Sequence, residues 1–142
     1  MRAGRRDALA LFGAFCAALA IAGPARADPR DAPDARETFV MDLQKAIRAS
    51  DAKWIAARLK YPARHGAGKA GGLIRSPVFF MKNYAWLVGP KLRAAILAQD
   101  PVDVFENWQG VMIGAGDANV WARLTGEGDR TRYLIVTINN PK

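Results

Sequence analysis

The amino-acid sequence predicts an α+β fold in which N-terminal helices pack on an antiparallel sheet, and three observations carry that prediction. Between Phe105 and Asn139 aliphatic residues recur at every second position in three runs: Val111 and Ile113, then Val120, Ala122 and Leu124, then Leu134, Val136 and Ile138. Glycine-containing breaks at 114–117 and 126–129 separate these runs, so they read as a three-strand C-terminal meander. Upstream of it the apolar spacing lengthens to that of helices, and Ser76-Pro77, Gly89-Pro90 and Asp100-Pro101 supply helix starts.

The first residues read as a targeting segment. Arg2, Arg5 and Arg6 precede an apolar run from Ala8 to Gly23, and Ala25-Arg26-Ala27 is an A-x-A cleavage site. Residues 1–27 are therefore expected to be a cleaved signal peptide, with the product periplasmic or secreted. Arg5-Arg6 lacks the continuation of a twin-arginine signal, which favours the general secretory route. Cleavage leaves 115 of the 142 residues, enough for one domain with its own core. It also removes Cys16, the single cysteine, and with it any disulfide, thiol nucleophile or cysteine metal site.

Taken in order, residues 28–35 are polar and proline-containing and should form a flexible mature N-terminus, followed by one α+β domain over 36–142. Phe39, Leu43 and Ile47 recur every four positions, with Val40 alongside, which predicts an amphipathic helix from Arg36 to Ala49 whose polar positions include Asp42, Gln44, Lys45 and Arg48. Ser50-Asp51 breaks it and caps a second helix carrying Trp54, Ile55, Arg58 and Leu59, which Tyr61-Pro62 ends. The glycine-rich stretch 63–72 should join two short extended pieces, 61–64 and 73–75. Ser76-Pro77 opens a helix, VFFMKNYAWLV, that is apolar nearly all round and is expected to be the buried central helix. Gly89-Pro90 starts another, with Leu92, Ala95, Ile96 and Gln99 on one face, and Asp100-Pro101 starts a short helical turn leading to the first strand.

Catalytic chemistry finds few materials. His65 is the single histidine and lies beside the glycine-rich loop, where a solvated role accounts for it. Gly66-x-Gly68-Lys69 lacks both the first glycine and the final Ser or Thr of a phosphate loop. Ser50 and Ser76 are the only serines after residue 27, and both fit caps. A pocket acid could come from Asp42, Asp100 or Asp103, with Tyr61, Tyr84 or Tyr133 donating to an oxyanion, but helix starts and core edges explain these residues as well. No residue is singled out as catalytic, and no metal or cofactor is expected.

Binding has better support. Opposite the aliphatic positions of the meander stand Trp108, Met112, Trp121, Arg123, Tyr133, Ile135, Thr137 and Asn139. A sheet face left to water normally carries charge and threonine, so an aromatic face with polar tips is expected to be covered by helices, a ligand or a partner subunit, including a homodimer. Trp108, Met112, Trp121, Arg123 and Tyr133 are the candidate ligand- or partner-binding residues. Charge is also uneven. From Leu43 to Gln99 eleven basic residues face Asp51 alone, while both flanks are net acidic. The basic middle either neutralises those flanks or meets an anionic envelope surface of lipid or polymer. Nothing in the chain matches a nucleic-acid-binding motif.

The order helix, helix, short strands, helices, then an antiparallel finish, together with FENWQGVMIG followed by NVWARL, resembles the nuclear-transport-factor-2-like and SnoaL-like superfamily, in particular small exported bacterial proteins. The resemblance spans Arg36 to Asn139. It implies a sheet curved around helices into a cone, and either a non-enzymatic domain that binds a small apolar or amphiphilic ligand or a protein partner, or an isomerase- or hydrolase-type enzyme using a carboxylate and a tyrosine in the cone.

Overall fold

The computed structural model describes residues 34–66 and 71–142. The expected signal peptide and most of the mature N-terminus lie outside the described residues, as does the tip of the glycine-rich loop. The segment Pro33–Lys142 forms a compact unit whose core is drawn from residues between Phe39 and Ile138, so it carries its own hydrophobic interior.

The first helix, α1 (Ala35–Arg48), starts one residue earlier than its apolar period suggests, because Asp34 serves as N-cap and accepts a 2.7 Å bond from the amide of Glu37. Phe39, Val40, Leu43 and Ile47 are buried as predicted, and Ala46 is buried with them. Gln44 is buried with them, only 6% exposed, although its polarity places it on the outer face in a sequence reading. Asp51 caps α2 (Ala52–Ala56) by accepting from the Trp54 amide at 3.0 Å. This helix is shorter than expected. It ends before Arg58 and Leu59, and strand β1 (Leu59–His65) has already begun when the chain reaches the cis peptide Tyr61-Pro62. β1 forms the predicted hairpin with β2 (Gly72–Ile74).

The apolar segment after Ser76 is not the buried central helix that its composition suggests. Ser76 caps as expected, its hydroxyl accepting from the Phe79 amide at 3.1 Å. The helix then breaks at Asn83 into α3 (Pro77–Lys82) and α4 (Tyr84–Leu87), and the Asn83 side-chain amide donates to the Phe79 carbonyl at 2.8 Å. Only Phe80 of α3 and Leu87 of α4 are buried. The interior helices are instead α1 and α5 (Pro90–Ala98), which buries Leu92 and Ile96; α5 lies on strands β4 and β5, α1 on α5 and β6. After α5, Asp100 organises a bend rather than a helical turn, accepting from the Val102 amide at 2.9 Å.

The C-terminal part has four strands where three were expected: β3 (Phe105–Asn107), β4 (Gly110–Ala115), β5 (Ala118–Thr125) and β6 (Arg132–Asn139), with a 3-10 turn at Gly128–Arg130. The extra strand pairs with β4 across a two-residue turn, Trp108-Gln109, fixed by the Gln109 amide donating to Asn107 Oδ1 at 2.8 Å. The six strands form one sheet in the order β2-β1-β6-β5-β4-β3, antiparallel except between β1 and β6.

One irregularity decides which side chains share a face. Trp121 pairs with Thr137 and Ala122 with Ile135, so Val136 is an extra residue on β6. Beyond it the alternation of β6 is inverted relative to β5. Ile135 and Ile138 are both buried in the core, opposite Ala122 and Val120. Tyr133 also turns to the helices, its ring 5.6 Å from that of Phe39. The aliphatic face is therefore Val111, Ile113, Val120, Ala122, Ile135 and Ile138: Ile138 belongs to it as expected, but Ile135 takes the place expected of Leu134 and Val136.

Candidate ligand-binding face

Among the described residues the helices cover one side of the sheet and leave the other open. Along the open side a row of paired residues crosses all six strands: Phe105, Met112, Trp121, Thr137, Arg64 and Leu73, each aligned with the next. Cross-strand pairing brings such side chains within contact distance. Phe105 meets Trp121 edge to face with ring centroids 6.2 Å apart, spanning Met112 between them. Phe105 and Leu73 are exposed, and Met112, Trp121 and Thr137 are half-buried.

Local chemistry holds this face in place. Gly114 sits on it with φ +121°, and a Cβ there would lie 2.3 Å from the Ala118 carbonyl oxygen, so the position needs glycine. Beside it Asn119 is buried, donating to the Gly116 carbonyl at 2.7 Å and accepting from Asn139 Nδ2 at 2.9 Å, which ties β5 to β6. Arg123 Nε donates to the Gln109 carbonyl at 2.7 Å, clamping the β3–β4 turn over the end of the row.

Between Trp121, Arg123, Val136 and Thr137 on one side and Arg64 and Leu73 on the other lies an open cavity of about 570 Å³. Its lining is mostly polar, with Arg64, Arg123, Gln109, Thr137 and Asn139 around the apolar surface of Trp121, Leu73 and Val136. Among the described residues the ion pairs are those of Arg36, with Glu106 at 2.9 Å and Asp34 at 3.5 Å, so neither Arg64 nor Arg123 is neutralised by a carboxylate there. A second cavity of about 820 Å³ lies elsewhere, between Trp86, Pro90, Ile138 and Asn140, where His65 stands edge-on to Trp86 at 5.0 Å.

Of the five candidate residues, the structure brings together Met112, Trp121 and Arg123. Trp108 is apart from them, 86% exposed at the tip of the β3–β4 turn. Tyr133 is on the opposite face because of the Val136 bulge; burial, with the Glu106 carboxylate adding to it, pushes its phenol above the usual range. Phe105, Arg64 and Leu73 belong to the face but were missed. Phe105 continues the period of β4 across the Asn107–Gly110 turn, a signal present in the sequence, whereas nothing local indicates that β1 lies beside β6.

The carboxylates considered for catalysis, Asp42, Asp100 and Asp103, are all exposed. Tyr61 donates its hydroxyl proton to the Ala56 carbonyl at 2.6 Å, and burial raises its pKa. Among the described residues no cluster of three His, Cys, Asp or Glu could hold a metal, and no helix is long and apolar enough to cross a membrane. No protein-family model matches this chain, and no curated protein or solved structure matches it either.

Proposed function

We propose that this protein is an exported, non-enzymatic domain of the nuclear-transport-factor-2-like kind that holds a small amphiphilic ligand against the open face of its sheet. The observation carrying this reading is the cavity that joins Trp121 to Arg64 and Arg123. Its lining sets Trp121, Leu73 and Val136 among the polar residues Arg64, Arg123, Thr137 and Asn139, so a volume of several hundred cubic ångströms offers apolar contact and convergent polar groups together. The ligand class follows from the lining: an apolar body for Trp121, Leu73 and Val136, and an anionic head for the two arginines. The family reading rests on the helix and strand order together with a bulged, mostly antiparallel sheet covered by helices. Export rests on the n-region, h-region and A-x-A order of the first 27 residues. A cone-pocket enzyme has less support, because no carboxylate of the three considered stands in a cavity wall with a tyrosine.

Isothermal titration of the Pro33–Lys142 unit with sodium dodecanoate below its micelle concentration tests the reading. Trp121→Ala should weaken binding at least about tenfold, since losing about 60 Å² of apolar contact removes about 1.5 kcal/mol. Trp108→Ala should leave binding unchanged. Equal affinity of wild type and Trp121→Ala, with both folded by circular dichroism, sinks the proposal.

A further inference from the structure

The open sheet face is not the only place where this chain exposes large apolar side chains. On α3 they are Val78 (57% exposed), Phe79 and Met81, and on α4 Trp86 (55%). α3 turns only Phe80 inward, so Val78, Phe79 and Met81 occupy the arc facing away from the core, together with the exposed Lys82. Apolar side chains concentrated this way on a surface mark a contact with something other than water.

The charge around them indicates what that contact is. Arg75 immediately precedes α3, Lys82 closes it, and Lys53 lies on α2, which packs against it; all three are exposed. Asp51, the single carboxylate between Leu43 and Gln99, is engaged as the cap of α2. Among the described residues none of these three cations is in an ion pair. A second copy of the chain docking through the same surface would bring like charges together. A soluble polyanion would satisfy the cations and leave Val78, Phe79 and Met81 in water. An anionic bilayer satisfies both sets, because its phosphates lie directly above an apolar layer.

We propose that α3 and the start of α4 form a membrane-docking element: Val78, Phe79 and Met81 insert at the headgroup boundary of an anionic bilayer while Arg75, Lys82 and Lys53 meet lipid phosphates. Short amphipathic elements with basic flanks bind interfaces in this way, through apolar insertion and attraction to anionic lipid together. The element uses none of the residues of the open sheet face, so it stands or falls independently of the ligand reading.

Cosedimentation of the Pro33–Lys142 unit with vesicles of phosphatidylcholine containing phosphatidylglycerol, and with pure phosphatidylcholine vesicles, tests it. Wild type should bind the anionic vesicles more tightly, with partial weakening at high salt. The triple variant Val78→Ser, Phe79→Ser, Met81→Ser should lose at least about tenfold in partitioning, given the apolar area withdrawn from lipid. A separate variant, Arg75→Glu with Lys82→Glu, should lose its preference for anionic lipid. Both should keep wild-type circular dichroism, and the single change Met81→Ser serves if the triple variant does not fold. Three results would overturn the proposal: no binding of wild type to either vesicle, binding unaffected by the serine changes, or binding to soluble dextran sulfate that matches vesicle binding and ignores those changes. Concentration-dependent self-association abolished by the serine changes, without vesicle binding, would assign the surface to a second copy and also overturn it.

Discussion

Replacing Gln44 by alanine should destabilise the domain far more than a polar residue on a helix ordinarily would. Its side-chain Nε2 donates to the carbonyls of Ile96 at 3.0 Å and Gln99 at 2.7 Å, at the C-terminal end of α5. The Ile96 carbonyl also accepts from the Gln99 amide at 3.2 Å, whereas the Gln99 carbonyl lies past the end of α5, where intrahelical partners have run out. Gln99 in turn accepts from the Gly114 amide at 3.1 Å and donates to the carbonyls of Asp100 and Asp103, so Gln44 anchors the end of α5 from which the chain bends towards the sheet. Two hydrogen bonds at about 1 kcal/mol net each, plus the desolvation of the Gln99 carbonyl left without its donor, give a loss of about 3 kcal/mol. For the 110 residues of the Pro33–Lys142 unit this corresponds to a melting point lower by about 13 °C. Urea unfolding followed by tryptophan fluorescence measures it, with an unchanged m-value showing that the unfolded state is unaffected. Gln44→Leu, which keeps the volume and removes the donors, should recover only part of the loss. Asp42→Ala, two residues away and exposed, should stay within about 0.5 kcal/mol of wild type. A Gln44→Ala loss below about 1 kcal/mol would show that water replaces the amide at no cost and refute the argument.

Gly114→Ala should cost about 2 kcal/mol or more in the same urea assay, since it meets both an unfavourable φ and the Ala118 carbonyl; a change within 0.5 kcal/mol, on the same order as an ordinary surface substitution, would mean that the β4–β5 turn relaxes freely. Stability should fall as pH rises beyond 10.0, the ordinary tyrosine value, because burial raises the folded-state pKa of Tyr61, Tyr84 and Tyr133 and the unfolded chain then releases its phenolic protons first. That contribution is fully present below the unfolded value and is lost as pH climbs towards the folded one. Tyr84→Phe should reduce the alkaline loss while leaving neutral stability within about 0.5 kcal/mol, as its buried hydroxyl has no hydrogen-bond partner of good geometry; denaturation curves at neutral and alkaline pH compare the two proteins directly.

Much of the architecture is legible in the sequence where the cause is local. Ser76 and Asp51 cap the helices they were expected to cap, since a side-chain oxygen and a free amide three residues on need no distant partner. Val111, Ile113, Val120 and Ala122 face the core as their alternation predicts, because period two is a property of the extended chain itself. The same reasoning correctly placed Met112, Trp121 and Arg123 on the opposite face.

Where it failed, the deciding contact was remote in sequence. VFFMKNYAWLV has the composition of a buried helix, yet α1 and α5 take the interior and Asn83 breaks the segment, so Val78, Phe79, Met81 and Trp86 are left at the surface while Phe80, Leu87 and Val88 are buried. Gln44 reads as a surface residue until the end of α5 brings the Ile96 and Gln99 carbonyls beside it as acceptors. Arg64 and Leu73 join the candidate site only because β1 lies parallel to β6.

By itself, then, the sequence determined an α+β chain, the helix starts at Asp51, Ser76 and Gly89, and the period of β4 and β5, all set by interactions within a few residues. The tertiary structure alone decided the phase of β6, on which the site depends. One extra residue, Val136, turned Tyr133 and Ile135 to the core and left Leu134 opposite Arg123, and no local preference marks that residue: a bulge exists only relative to the strand it pairs with.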